Sequence, residues 1–120
     1  MTEARRAFGA WGEQRAAAHL VEAGMVLLAR NWRSRTGEID IVARDGETLV
    51  FVEVKTRRSE AFGPPAEAVV ARKVSRLRRL AAEWLRASGL HPPAVRFDVV
   101  SVLPRRRGAP QVDHLRDAFR

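Results

Sequence analysis

The 120 residues contain no cysteine, only two lysines and no apolar run long enough to cross a membrane. Without cysteine there is no disulfide, no thiolate ligand for zinc and no cysteine nucleophile. The three histidines, His19, His91 and His114, are too widely separated for any familiar ligand spacing, so a compact zinc site is not expected. The opening Met1-Thr2-Glu3-Ala4-Arg5-Arg6 leads into no apolar stretch of signal-peptide length, and repeats, low-complexity tracts and linker-like segments are missing. The expectation is a cytoplasmic protein of one domain, residues 1–120, with no membrane partner. What the chain does have is apolar residues, at 46%, enough to fold rather than remain disordered. It also carries a formal net charge of +8, almost all of its positive charge being arginine. Such a balance favours a polyanionic partner, with nucleic acid ahead of other candidates.

The order of elements reads αβββαββ. From Ala4 to Ala23 the chain is rich in Ala, Glu and Arg, lacks proline and is followed by Gly24, the pattern of one long helix. Met25 to Trp32 reads as a strand. Glu38 to Arg44 and Glu47 to Arg57 alternate apolar with polar residues, and Asp45-Gly46 between them is a strong signal for a tight hairpin. After a Gly63-Pro64-Pro65 loop comes a second helix, Ala66 to Ser88, stopped by Gly89 and His91-Pro92-Pro93. Val95 to Leu103 and Gln111 to Leu115 complete a mixed sheet with helices packed on it.

The hairpin concentrates the chemistry. With Asp45-Gly46 as the two-residue turn, Arg44 pairs with Glu47, Ile41 with Val50 and Asp40 with Phe51. Alternation then puts Ile39, Ile41, Val50, Val52 and Val54 on one face, the expected core. The other face collects Glu38, Asp40, Glu53 and Lys55, with Glu53 diagonal to Asp40 at about 7 to 8 Å. Two carboxylates about 4 Å apart repel by roughly 4 kcal/mol at an effective dielectric near 20. Lys55 supplies one offsetting positive charge and a divalent cation bound by oxygen ligands could supply the rest, the alternative being an ordinary solvent-facing strand pair whose charges point into water.

The helices add two charged residues to this picture. At about 100° per residue, Glu13 falls near Gly9, Ala16, Ala17 and Leu20, the small-residue side expected to pack on the sheet, while Trp11 projects from the opposite side. On the second helix an apolar arc runs through Val69, Leu80, Trp84, Leu77, Val70, Ala81, Val74 and Leu85, and Lys73 lies inside it. An ammonium there needs an anion, unless its stem lies along the apolar surface and its head reaches water. Lys55 and Lys73 also stand out because arginine serves nearly everywhere else; the compact ammonium suits a place beside a water or a phosphate oxygen.

Gly12-Glu13, Asn31-Trp32-Arg33, Gly37-Glu38-Ile39-Asp40, Phe51-Val52-Glu53-Val54-Lys55-Thr56-Arg57 and Ala66-Glu67-Ala68-Val69 through Lys73 together resemble the YraN family of bacterial endonuclease-like proteins. That family is similar to archaeal Holliday-junction resolvases and to the restriction-endonuclease-like fold with its PD-(D/E)xK active site. The resemblance implies an α/β restriction-endonuclease-like mixed sheet flanked by helices. It makes Asp40 the motif aspartate, Glu53 and Lys55 the second half of the motif, and Glu13 the helical glutamate. Ile39 departs from the pattern, which has proline there, but that position supplies no ligand.

The implied activity is Mg²⁺- or Mn²⁺-dependent hydrolysis of DNA phosphodiesters, with branched DNA as the expected substrate form. Asp40 and Glu53 would hold the metal, Lys55 would position a water or stabilise charge, Glu13 would orient a water or help bind a second ion, and Glu38 is either an outer carboxylate or a structural one. Arg33, Arg35, Arg57, Arg58 and Lys73 are the expected nucleic-acid contacts, joined by the Arg105-Arg106-Arg107 loop. Symmetric cleavage of a junction needs two sites, hence a homodimer. The competing reading is a non-catalytic nucleic-acid-binding module in which the same carboxylates are structural.

Overall fold

The structure, a computed structural model, describes residues 2–59 and 71–119; the Gly63-Pro64-Pro65 loop and the expected helix start at Ala66 lie outside the described residues. Helix α1 spans Glu3–Glu22. Thr2 caps it, its hydroxyl accepting the Arg5 N–H at 3.2 Å, and Glu3 places negative charge at the positive end of the helix dipole. Gly24, at φ +93°, turns the chain into β1, Val26–Arg33. Then come β2, Glu38–Asp45; β3, Thr48–Thr56; α2, Ala71–Ser88; β4, Ala94–Leu103; and β5, Gln111–Leu115. The five strands form one sheet in the order β1-β2-β3-β4-β5. All neighbours are antiparallel except β3 and β4, which run parallel with α2 in the crossover between them. The order αβββαββ and the mixed sheet flanked by helices are both as expected.

The hairpin register differs from expectation. Asp45 pairs with Thr48 and Ile41 with Val52, so Gly46 and Glu47 form the turn, not Asp45 and Gly46. Gly46 takes φ +62° at the first loop position, where only glycine is unstrained. The β-branched Thr48 then enters the ladder, while Asp45 stays at the strand end with its carboxylate bonded by Arg96 Nη1 at 3.0 Å. Each β2 residue therefore meets a partner two places further along β3 than expected, Val52 instead of Val50 for Ile41. The ladder stops there. One step on, the Asp40 side chain takes over the role of a strand backbone, its Oδ2 accepting the Val54 N–H at 2.8 Å.

A second correction concerns the faces. A single buried face opposite an acidic one was expected; instead both faces are buried. On one, Ala16, Ala17 and Leu20 of α1 pack with Ile41, Ala43, Val50, Val52, Val100 and Val102. On the other, Leu77, Leu80, Ala81 and Trp84 of α2 pack with Ile39, Val42, Leu49 and Phe51. A sheet with a parallel crossover is covered on both sides, which is why Leu49-Val50-Phe51-Val52 of β3 is apolar without a break where alternation was expected. Ile39 shares its cluster with Val42 rather than with Ile41, so the alternation of β2 slips where the ladder ends. Strand β1 is irregular too: its pairing with β2 shifts between Leu27 and Ala29, and Asn31 has φ +53°.

Along α1 the close approach is made by Gly12 rather than Gly9. Gly12 is buried, and a Cβ there would overlap the Thr56 side chain, whereas a Cβ on Gly9 would meet open space. Trp11 is partly buried, stacked on Phe8 with ring centroids 5.8 Å apart and packed against the first cluster.

Candidate metal and nucleic-acid site

Strand directions bring the chemistry to one end of the sheet. The C-terminal ends of β1, β3 and β4 and the N-terminal ends of β2 and β5 lie together there. Asp40 stands where β2 separates from β3; Glu53 and Lys55 lie on the adjoining end of β3; and the Gly12–Thr56 contact brings the next residue of α1, Glu13, to the same place. Carboxylate oxygens of Glu13, Glu38 and Asp40 all lie within 4.8 Å of one another. Glu38 thus belongs to the acidic group itself, which the sequence left open between an outer and a structural role.

The electrostatics are those of crowded carboxylates, offset in part by Arg30 and Arg33 acting on Glu13 and by Arg33 beside Glu38. Burial, reinforced by the Glu53 charge, pushes the Asp40 carboxyl up to about 7, against the opposing bond from the Val54 N–H. Glu13 is also raised, by burial first, with the bond from the Asn31 side chain working the other way and Glu38 adding repulsion. Asn31 was legible only as part of a motif. Its left-handed backbone, tolerated by asparagine better than by most residues, is what carries its amide to Glu13.

On the other side of Asp40 the charges are matched. Glu53 Oε1 lies 2.6 Å from Lys73 Nζ and 3.2 Å from Lys55 Nζ. Lys73 therefore has the anion that its place on the apolar arc demanded. Burial, together with the neighbouring Lys73, depresses the Lys55 pKa, whereas the bonds to Glu53 outweigh burial for Lys73 and raise it.

The expected nucleic-acid residues flank this end. Arg33 and Arg35 are exposed around the turn joining β1 to β2, Arg33 being 3.6 Å from Glu38. Arg57 donates its backbone N–H to Val102 O at the end of β3. Arg58 is exposed and lies 4.3 Å over the Phe8 ring. Arg105, Arg106 and Arg107, also exposed, occupy the loop from β4 to β5 at the same end. Lys73 is the exception, held on Glu53 instead of facing outward.

One constellation escaped the sequence. His19 and His114 meet, Nε2 to Nδ1, at 3.1 Å, and His114 Nε2 is 2.8 Å from Asp98 Oδ2. Asp98 is fully buried and also receives Arg96 Nε at 2.9 Å and the Asp117 N–H at 3.0 Å. Burial opposes its charge, but these donors outweigh it and hold the carboxyl below its ordinary value. The group ties β5 and the end of the chain to β4 and α1, a structural task. Only long-range pairing brings residues so distant together, so no local spacing could have revealed it.

The model of the uncharacterised protein family UPF0102 matches residues 12–102, a span that includes Glu13, Glu38, Asp40, Glu53, Lys55 and Lys73. A UPF0102 protein of Rhodococcus jostii is 57% identical over 113 residues, covering 94% of this chain and 96% of that protein. One from Streptomyces griseus is 59% identical over 114 residues, with the same coverage of 94% and 96%. A third, from Beutenbergia cavernae, is 58% identical over 113 residues, again covering 94% and 96%.

Proposed function

The chain belongs to the uncharacterised protein family UPF0102, the YraN family its motifs resemble, and from the geometry above we propose that it is a metal-dependent DNA endonuclease. The observation that carries this reading is the convergence of Glu13, Glu38 and Asp40, beside Glu53 and Lys55, at the end of the sheet from which the basic loops emerge. An all-oxygen donor set with more negative charge than its surroundings balance fits a hard divalent cation, Mg²⁺ or Mn²⁺. Asp40 and Glu53 would hold it, with Glu13 and Glu38 beside them and the Val54 carbonyl as a further oxygen. Bound there, such an ion supplies Lewis-acid polarisation of a phosphate and acidifies a water.

The protein's own groups do the rest. Asp40 must give up its proton to become a ligand, which the positive charge of an ion favours. Lys55, on the next outward position of β3 after Glu53, positions the attacking water or meets charge growing on the phosphate. Arg33, Arg35, Arg57 and Arg58 grip the backbone of the substrate, branched DNA being the preferred form, and the whole chain acts as one cytoplasmic domain. A homodimer would supply the two sites that symmetric cleavage of a junction needs.

The purified protein incubated with Mg²⁺ or Mn²⁺ on branched, flapped and linear DNA is expected to give metal-dependent products. Asp40→Ala, Glu53→Ala and Lys55→Ala are expected to abolish them without unfolding the chain. Unchanged cleavage by Asp40→Ala would sink the assignment. One observation favours a second reading: Glu53 is already paired with two ammonium groups, as a structural carboxylate would be. DNA binding with no product on any of the three substrates would establish that non-catalytic module instead.

A further inference from the structure

Glu53 is asked to serve a divalent cation, yet one of its oxygens is already occupied twice. The two occupants are not equivalent. Lys55 lies two residues further along the same strand, on the same side, so alternation alone makes it a neighbour of Glu53. Lys73 comes from α2, across the crossover, and makes the shorter contact, 2.6 Å against 3.2 Å. Its side chain is 20% exposed and that of Glu53 only 11%, so each charge has lost most of its water and depends on the other.

A divalent cation reaching Glu53 would provide the same compensation as the Lys73 ammonium, on the same carboxylate. With two ammonium groups already on this one carboxylate, a divalent ion adds more positive charge than it can offset, and the ammonium that gives way is the one brought from another element, Lys73. The residue type is suited to leaving. An ammonium on a flexible stem holds its partner by a single point, whereas a guanidinium would grip it with a planar fork. In a chain that uses arginine for all but two of its basic positions, a lysine stands where the contact has to be reversible.

We propose that Lys73 is the resting counter-ion of Glu53, displaced when a divalent cation enters, so that it sets how tightly the site takes metal. This rests on the reading of Asp40 and Glu53 as metal ligands. Lys73 is then a positioning residue. It keeps Glu53 neutralised and in place while metal is absent, and it raises the threshold of ion concentration at which the site fills.

The test is titration of Mn²⁺ alone, without DNA, into wild type, Lys73→Met, Lys73→Gln, Lys73→Arg and Asp40→Asn, read by calorimetry or by the spin resonance of free Mn²⁺. Removing the competing ammonium is expected to tighten Mn²⁺ binding roughly tenfold in both the Met and the Gln variants, the factor that corresponds to about 1.4 kcal/mol. Lys73→Arg is expected to bind no more tightly than wild type, and Asp40→Asn not to bind. A merely structural Lys73 would weaken metal binding on removal or leave it alone, so the direction decides. If the folded Lys73 variants bind Mn²⁺ equally or more weakly while Asp40→Asn still loses it, the counter-ion proposal fails and the metal site stands. If wild type binds no Mn²⁺, or Asp40→Asn binds it normally, the metal reading fails and this proposal with it. Two neutral variants keep the result readable should one of them not fold.

Discussion

Asp40 is where a single side chain decides most. Folded, it holds its proton up to about pH 7, whereas an unfolded aspartate releases it near its ordinary value of 3.8. Between those values the unfolded chain binds fewer protons than the folded one, so stability falls as pH rises through that window. Below it both states are protonated and nothing is lost. A shift of this size corresponds to about 4 kcal/mol at most. Asparagine keeps an oxygen for the Val54 N–H but never ionises. In the absence of divalent ions, Asp40→Asn should therefore be more stable than wild type above pH 7, by about 2 to 4 kcal/mol, with the gain vanishing near pH 4. Urea unfolding at the two pH values checks this; a variant less stable than wild type at pH 8 would contradict the burial argument.

Between elements, the contact of Gly12 with Thr56 places Glu13, in the middle of α1, beside the end of β3. A methyl group at Gly12 would overlap the Thr56 side chain. Gly12→Ala should cost about 1 to 3 kcal/mol, even though alanine in a helix is otherwise favoured over glycine by about 1 kcal/mol. Thr56→Ala, which removes the two nearest atoms, should recover part of the loss in the double variant; additive losses in thermal melts would show that the contact is not the cause. The elements themselves were largely legible. The arc on α2 named Leu77, Leu80, Ala81 and Trp84, all of them buried, and the misfit of Lys73 within that arc called for an anion, which is Glu53. Alternation along the hairpin put Asp40, Glu53 and Lys55 on one face, although the register assumed for the diagonal from Asp40 to Glu53 was two residues off. What was not legible depends on the partner of a strand rather than on the strand. The parallel pairing of β3 with β4 buries both faces, and the gap after Ile41 moves Ile39 to the side of α2. Turn chemistry misled by one residue at Gly46, since Asp-Gly and Gly-Glu turns differ only in where the ladder resumes.

Over the whole molecule the charge of +8 is less informative than its placement, with basic loops emerging around the acidic gap at one end of the sheet. Among the described residues no helix is long and apolar enough to cross a membrane. DNA affinity should fall steeply with salt, with a slope of about −3 to −5 in a plot of log K against log salt concentration. Arg35→Ala and Arg58→Ala should each flatten that slope by about 1, while Arg86→Ala, in the last turn of α2 and away from the gap, should leave it unchanged. Equal effects from all three in filter-binding or anisotropy titrations would mean that the binding face has been misplaced. The irregularity of β1 has a different kind of consequence. The strand is one of the two edge strands, β5 being the other, and with Val26 and Leu28 exposed it is a place where another chain could add a strand. The shift between Leu27 and Ala29 and the left-handed Asn31 break its row of free N–H and C=O groups, so an incoming strand finds no continuous template. The distortion that turns Asn31 toward Glu13 thus also guards against edge-to-edge aggregation, and a homodimer would be built on some other surface.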